Sequence, residues 1–366
     1  MDPFVPGLLN RIAPPRKVAV FRASRLGDFI CATPAFRALR QALPQAEISF
    51  VGLPFIEPLA TRLPSFDRFY AFPGAPGIAE QLFNARKLTA FFRRMQAIPF
   101  DLVIQIHGSG VFSNPIALMF GGRLTAGFIR AGDGTGHLDA ACVYPNGLHE
   151  VKKTLFLTQF LGVPSEDERL DFPLAASDDK AAVLLLKRAM PPLIGVHARA
   201  EARTKKWRPE RFAQAASRLA VDARGTVVLI GAGAEEGHLE LVQGLRAPFV
   251  DLCGKTSLGV LGAVIKRLSV LLTNDSGPAH IAYALGIPSV TIFGSTLPSE
   301  WAPLETGRHR VVAHEVECRP CGLNTTCPIG FVCLEKVSVE RVVEAGRQVM
   351  SPPKESGVWE ANACSF

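Results

Sequence analysis

Leu272-Thr273-Asn274-Asp275-Ser276-Gly277-Pro278-Ala279-His280 reads as the passage from a buried strand into a helix. Residues 269–273 are a short apolar run with a polar end, and residues 281–285 are followed by the helix-stopping pair Gly286 and Pro288. Pro278 suits the first helical position, where its missing N–H is not needed. Asn274, Asp275, Ser276 and Gly277 then occupy the turn. In an open α/β sheet, ligands gather at such strand ends, and the free N–H groups of a helix start favour an anion such as phosphate. Asp275 would repel a bare phosphate; it suits sugar hydroxyls, with Ser276 and Gly277 turned to the phosphates. The competing reading is structural, with Asp275 or Ser276 as a helix cap.

The flanking segments repeat the pattern. Residues 289–293 form a strand that ends in Gly294-Ser295-Thr296, a second hydroxyl-rich turn at the same sheet edge. Upstream, a strand over 193–198 enters a loop carrying Arg199, Arg203, Lys205, Lys206 and Arg208, a cation cluster that points to phosphate binding, with Trp207 as its anchor. A strand over 226–230 enters Gly231-Ala232-Gly233-Ala234-Glu235-Glu236-Gly237. This is similar to a dinucleotide-binding turn with its third glycine one position late, and Asp251 follows about twenty residues on. Glu235 and Glu236 put negative charge where a pyrophosphate would sit and better hold ribose or base hydroxyls. Cys253-Gly254-Lys255-Thr256 lacks the full glycine-rich loop of a nucleotide triphosphatase.

The first half has its own version. A strand over 18–22 leads into Ala23-Ser24-Arg25-Leu26-Gly27-Asp28 and a helical pattern to about residue 42. Either the helix starts near Asp28 and Pro34 kinks it, or Thr33 caps a helix starting at Pro34. Both place Asp28 near a helix start, where the dipole favours its carboxylate. There it can accept the proton of an attacking hydroxyl or serve as a cap. Strands are expected over 47–52 and 101–106, the latter ending in His107-Gly108-Ser109-Gly110. Helices are expected over 85–97, with a basic face, and over 112–120 and 150–161. Residues 71–78 and 127–136 read as irregular, and 165–176 as a linker. Strand and helix alternate on both sides of it. The fold class is therefore α/β, with two Rossmann-like, doubly wound parallel sheets facing a central cleft. The domains are expected at 1–172 and 173–350, with a disordered tail over 351–366.

The totals agree. The length allows about two domains. No apolar run approaches the roughly 18 residues of a membrane span, and residues 1–17 lack the features of a secretory signal, so a cytoplasmic protein is expected. The net charge of +7 and the pI of about 9.1 suit an anionic substrate or membrane surface. No finger, recognition-helix or ribonucleoprotein signature points to nucleic acid. Of eight cysteines, Cys318, Cys321, Cys327 and Cys333 cluster at a spacing that could bind a structural metal, although reduced or redox-labile thiols are the stronger expectation. The rest read as buried thiols.

Arg25-Leu26-Gly27-Asp28 with Thr33-Pro34, the 101–110 segment, Lys205-Lys206-Trp207-Arg208-Pro209-Glu210, Asp251 through Leu258, Asn274 through His280 and Phe293 through Thr296 occur in an order that resembles glycosyltransferase family 9, the lipopolysaccharide heptosyltransferases. The resemblance covers about residues 17–345. It implies a GT-B fold and inverting transfer of a heptose from an ADP-heptose donor to the inner core of lipopolysaccharide, at the inner face of the inner membrane. By the same resemblance Asp28 looks like the general base and Lys205 like the cation that stabilises the leaving diphosphate. Glu235 (or Glu236, by a one-residue slip), Asp275, Ser276, Gly277, His280 and Thr296 look like the donor pocket, and Arg25, Arg199 and Arg203 are assigned to the anionic acceptor. No metal or other cofactor is implied beyond the nucleotide sugar. The last helix, over 337–349, is expected to pack back on the N-terminal domain. Two other readings stand beside this one: a family 9 transferase using another nucleotide sugar, and an NAD(P)-dependent oxidoreductase built on residues 231–237 and Asp251.

Overall fold

The computed structural model describes residues 2–78, 81–233, 237–322 and 326–351. Two six-stranded sheets, all of whose strand pairs are parallel, account for the two halves. The first contains β1 (Lys17–Phe21), β2 (Glu47–Gly52), β3 (Arg68–Ala71), β4 (Leu102–Gln105), β5 (Leu124–Ile129) and β6 (Ala140–Val143) in the order β3-β2-β1-β4-β5-β6. The second contains β7 (Leu193–His197), β8 (Thr226–Leu229), β9 (Phe249–Asp251), β10 (Val270–Asn274), β11 (Ser289–Phe293) and β12 (His309–Ala313) in the order β12-β11-β10-β7-β8-β9. Counted within its own half, each sheet runs third, second, first, fourth, fifth, sixth. This is the doubly wound order, with its switch point between the first and fourth strands.

The central strands are apolar because helices cover both of their faces. Val20 lies between Phe50 and Ile104, Leu272 between Val196 and Val290, and all six are fully buried. Four strands were not visible in the sequence: β3, β5, β6 and β12. In β5, Gly127 reads as a loop residue, but a side chain there would meet Gln105 Oε1 at 2.6 Å, so glycine serves close packing within the sheet. β6 is Ala-Ala-Cys-Val and has little bulk to declare itself.

After β1 the chain forms two helices, Leu26–Cys31 and Thr33–Ala42, broken at Ala32. Asp28 lies in the first turn of the first helix. The Thr33 hydroxyl donates to Ile30 O (2.7 Å) and accepts from the Asp171 N–H (2.9 Å), pinning the inter-domain segment to this break. Helix Leu26–Cys31 packs on helix Gly277–Ala284 of the second half, and Phe29, Ile30, Ile281 and Ala282 belong to one buried cluster that runs through both halves. The last helix, Val339–Met350, departs from expectation. Val342, Val343 and Val349 enter the core of the second half, Gly346 abuts Leu219, and Arg347 pairs with Asp222 at 2.6 Å. Its apolar stripe is consumed by β10–β12 and helix Pro209–Ala223. The 351–366 tail lies outside the described residues beyond Ser351.

Candidate active site

Both switch points open on one cleft. The turn after β1 supplies Arg25, Gly27 and Asp28; the loop after β7 supplies Arg199, Glu201 and Lys205; the turn after β10 supplies Asp275, Ser276, Gly277 and His280. Together with His197 and Trp301 they line a cavity of about 640 Å³. The two helix starts approach closely because each carries a glycine. A Cβ on Gly27 would stand 2.7 Å from His280 Cδ2, and one on Gly277 would stand 3.0 Å from Leu26 Cδ2.

Arg22, at the end of β1 and 4 % exposed, holds the N-terminal side together. Its guanidinium donates to the carbonyls of Asp28 (Nε, 3.1 Å) and Ile106, and to Glu150 Oε1 (2.8 Å), and lies 3.7 Å from Asp28 Oδ1. Glu150 also faces Lys153 at 3.3 Å, and Lys153 reaches Glu300 of the second half at 3.3 Å. A chain of alternating charge therefore runs from the Asp28 carboxylate to the opposite domain. Burial pulls the Arg22 and Lys153 pKa values down, but the neighbouring carboxylates more than offset this and leave both raised. The Asp28 side chain is 30 % exposed and presents its carboxylate to the cleft.

On the other wall Lys205, in the single turn Arg203–Lys205, pairs with Asp275 Oδ2 at 2.9 Å. The Thr296 hydroxyl donates to the same oxygen at 2.7 Å, and His280 Nε2 lies 4.0 Å from Oδ1. Burial lowers the His280 pKa to about 4, so the ring is neutral at physiological pH. Asn274 fastens the basic loop to β10: its amide donates to Ala198 O (2.8 Å) and its carbonyl accepts from the Trp207 N–H (3.0 Å). The buried Trp207 ring anchors that loop through Nε1–H to Val337 O (3.0 Å). The Ser276 hydroxyl contacts His197 Nδ1 (3.1 Å) and donates to Asn274 O (3.1 Å), so its side chain braces the turn. Neither Asp275 nor Ser276 makes a side-chain cap to the helix it precedes.

Asp28, Lys205, Asp275, Ser276, Gly277, His280, Arg25 and Arg199 are thus brought to one cleft, with Thr296 behind Asp275. Arg25 crosses the cleft mouth to pair with Glu201 at 2.5 Å. Arg203 is not among them. It stacks over Phe331 (5.3 Å) and lines a neighbouring cavity of about 390 Å³ with Arg199, Lys206 and Arg208, away from Asp28. Glu235 and Glu236 lie outside the described residues. Arg22 and Glu150 were not legible in advance. An isolated arginine after a strand and a glutamate opening a helix carry no motif, and only tertiary contact joins them. The glycine-rich turn that suggested an oxidoreductase follows β8, the second strand of its half. The dinucleotide fingerprint belongs after the first strand, at the switch point. Asp251, its expected ribose ligand, accepts from the Cys253 N–H (3.0 Å) and pairs with His238 (3.1 Å).

Cys318, Cys321, Cys327 and Cys333 line one small cavity with Thr204, Ser295 and Phe331. Among the described residues, the group whose potential ligand atoms lie within 4.8 Å of one another is His238, Asp251 and Cys253, not these four.

Comparison with known proteins places this geometry. The profile of glycosyltransferase family 9 (heptosyltransferase) matches residues 88–330. The chain is 26% identical over 344 residues to lipooligosaccharide heptosyltransferase 2 of Campylobacter jejuni, covering 92% of this chain and 100% of that one. Its fold is similar to a family 9 glycosyltransferase from Veillonella parvula (TM-score 0.77, 22% identity, 92% and 97% of the two chains). It is also similar to the ADP-heptose heptosyltransferase II of E. coli (TM-score 0.73, 20% identity, 91% and 98%). Two doubly wound sheets meeting at their switch points, and a sequence match over most of the chain, lead to one conclusion: this protein is a glycosyltransferase and belongs to family 9.

Proposed function

We propose that the protein transfers a heptose from ADP-heptose to the inner core of lipopolysaccharide, with inversion at the anomeric carbon. The observation that carries this reading is the single cavity shared by the Asp28 carboxylate on one wall and the Lys205–Asp275 pair on the other. Similarity to heptosyltransferases along nearly the whole chain supports the choice of sugar.

The roles follow from the chemistry. Asp28 accepts the proton of the acceptor hydroxyl as its oxygen attacks the anomeric carbon. The bond between that carbon and the diphosphate oxygen breaks, and the electron pair leaves with ADP. Lys205 spends one N–H on Asp275 and has two left for the departing diphosphate, and the N–H groups that open helix Gly277–Ala284 add to it. The Asp275 carboxylate and neutral His280 contact the donor sugar, and Thr296 fixes the rotamer of Asp275. Arg25 and Arg199 meet the anionic acceptor, whereas Arg203 is better placed for the nucleotide side. Lys205 fills the place of a divalent cation, so transfer should persist in the presence of a chelator. The acceptor carries a lipid anchor, which puts the enzyme at the inner face of the inner membrane.

The test is a panel of nucleotide sugars presented with truncated core acceptors and read by product mass. A heptose increment from ADP-heptose is expected. A hexose increment alone would keep the family and replace the donor, and no transfer from any nucleotide sugar would overturn the reading.

A further inference from the structure

Five large apolar side chains stand exposed along one edge of the first sheet. Phe55 follows β2, Leu82 and Phe83 follow β3, and Val111 and Phe112 follow β4. Leu82 is 92% exposed and Phe112 is 58% exposed. These loops leave the carboxyl ends of β2 and β4, which flank β1, and of β3, the next strand out; the loop of β1 itself carries Asp28. The loops after β3 and β4 touch: the Phe112 ring covers Gly77, where a Cβ would lie 2.3 Å away, and within the loop after β3 the Leu82 carbonyl lies 2.9 Å from the Cβ position of Gly74. Single exposed apolar residues need no explanation, but several adjoining ones on a functional edge mark a binding surface.

The next element states what kind of surface. Residues 81–97 contain Arg86, Lys87, Arg93 and Arg94 and no carboxylate. Helix Ala85–Gln96 buries Phe91 and Met95 against the sheet and turns all four cations outward. None of them has a carboxylate partner among the described residues; Arg94 rests over the Tyr70 ring at 4.8 Å. Four like charges on one helical face cost the fold a little, a cost that an external anion would offset. Apolar side chains beside unpaired cations fit the interface of an anionic bilayer, where the former insert and the latter meet headgroups.

We propose that Phe55, Leu82, Phe83, Val111 and Phe112, with the cationic face of helix Ala85–Gln96, form the surface by which this protein docks on an anionic lipid bilayer. The docking puts Asp28 next to the membrane, where a lipid-anchored acceptor presents its sugars. This rests on the acceptor assignment made above, but it concerns residues outside the cleft and is tested apart from transfer.

The experiment is co-sedimentation of the full chain with mixed phosphatidylethanolamine–phosphatidylglycerol vesicles, against pure phosphatidylcholine vesicles, at low and high salt. The wild type should bind the anionic vesicles preferentially and be released by salt. Each cation lost should weaken binding about fivefold, so Arg86→Ala with Lys87→Ala should lose about 30-fold. Leu82→Ser with Phe83→Ser should lose at least about tenfold and leave less binding at high salt. All variants should transfer sugar to a water-soluble truncated acceptor at about the wild-type rate, which shows that they fold. Wild-type indifference to lipid charge, or variants that bind as the wild type does, would overturn the proposal. Failure of transfer with every nucleotide sugar, alongside vesicle binding that still depends on these residues, would sink the catalytic reading and leave the docking surface standing.

Discussion

Replacing Gly27 by alanine should damage catalysis far more than stability. The new Cβ would lie 2.7 Å from His280 Cδ2 and 3.1 Å from Nε2, against about 3.5–4.0 Å for a relaxed carbon contact. Something must move by about 1 Å. The histidine ring is badly placed to yield: it is buried, its Nδ1 faces Cys31 Sγ at 3.5 Å, and Tyr283 and Trp301 stand edge-on at 5.4 and 6.0 Å. Overpacking of this kind costs about 1–3 kcal/mol. Alanine in place of glycine inside a helix returns about 1 kcal/mol, so the net loss should be about 0–2 kcal/mol. The remaining adjustment is separation of the two helix starts, which carry Asp28 and the Asp275 turn. A displacement of about 1 Å between reacting groups costs on the order of a hundredfold in turnover. Urea unfolding and kcat/KM for sugar transfer, measured on one preparation, separate the two effects. Gly277→Ala is the control, because its Cβ is crowded less: its nearest neighbours are Leu26 Cδ2 at 3.0 Å and Leu26 Cβ and Cγ at 3.3 Å. Transfer by Gly27→Ala within about threefold of wild type, or Gly277→Ala suffering more, would refute the reasoning that a rigid contact here sets the cleft.

Glu150→Gln removes the carboxylate shared by buried Arg22 and Lys153. Each cation keeps one other acid, Asp28 at 3.7 Å and Glu300 at 3.3 Å, so the loss should sit at the low end of the buried-pair range, about 3 kcal/mol by urea denaturation; a loss below about 1 kcal/mol would show that the chain of charge is not stabilising. His107, His197, His280 and His309 are held neutral by burial, with pKa values lowered to about 4 from an ordinary 6.5. The unfolded chain binds these protons first as pH falls, so their contribution is complete above about 6.5 and is lost as pH drops towards 4; the urea midpoint should fall through that window, and a flat profile would contradict the burial. Alkylation followed by mass analysis should label exposed Cys318 first and spare Cys31 and Cys142, which are buried and whose thiols are pushed up, that of Cys142 to about 12. Early labelling of Cys31 would mean that the inter-domain packing opens.

What could be seen in advance divides along physical lines. Long central strands with glycine-rich exits declare themselves, and the turns at Asp28, Lys205 and Asp275 were all located from strand–turn–helix patterning. Three of the edge strands were missed because their pairing comes from neighbours: β3 is half exposed, β6 is four small residues, Ala-Ala-Cys-Val, and β12 follows a polar stretch. The last helix fell within 173–350 with packing back on the N-terminal domain expected, whereas its valines enter the second core; an amphipathic stripe specifies that a helix packs but not where. Arg203 was grouped with the acceptor residues by charge alone; the direction of its side chain, over Phe331, is a tertiary fact. The Arg22–Glu150–Lys153 chain escaped notice for the same reason, as Arg22 and Glu150 are 128 residues apart and meet only in the folded chain.

The most direct measurement is turnover of Asp28→Asn and Lys205→Met set against their donor dissociation constants. With Asp28 as the base, Asp28→Asn should lose about 10²–10⁴ in kcat and bind the donor nearly as the wild type does. Lys205→Met should lose turnover and donor affinity together, because its partner is the diphosphate. An Asp28→Asn enzyme that keeps its turnover within about tenfold, or that fails only by no longer binding donor, would mean that no proton passes to this carboxylate.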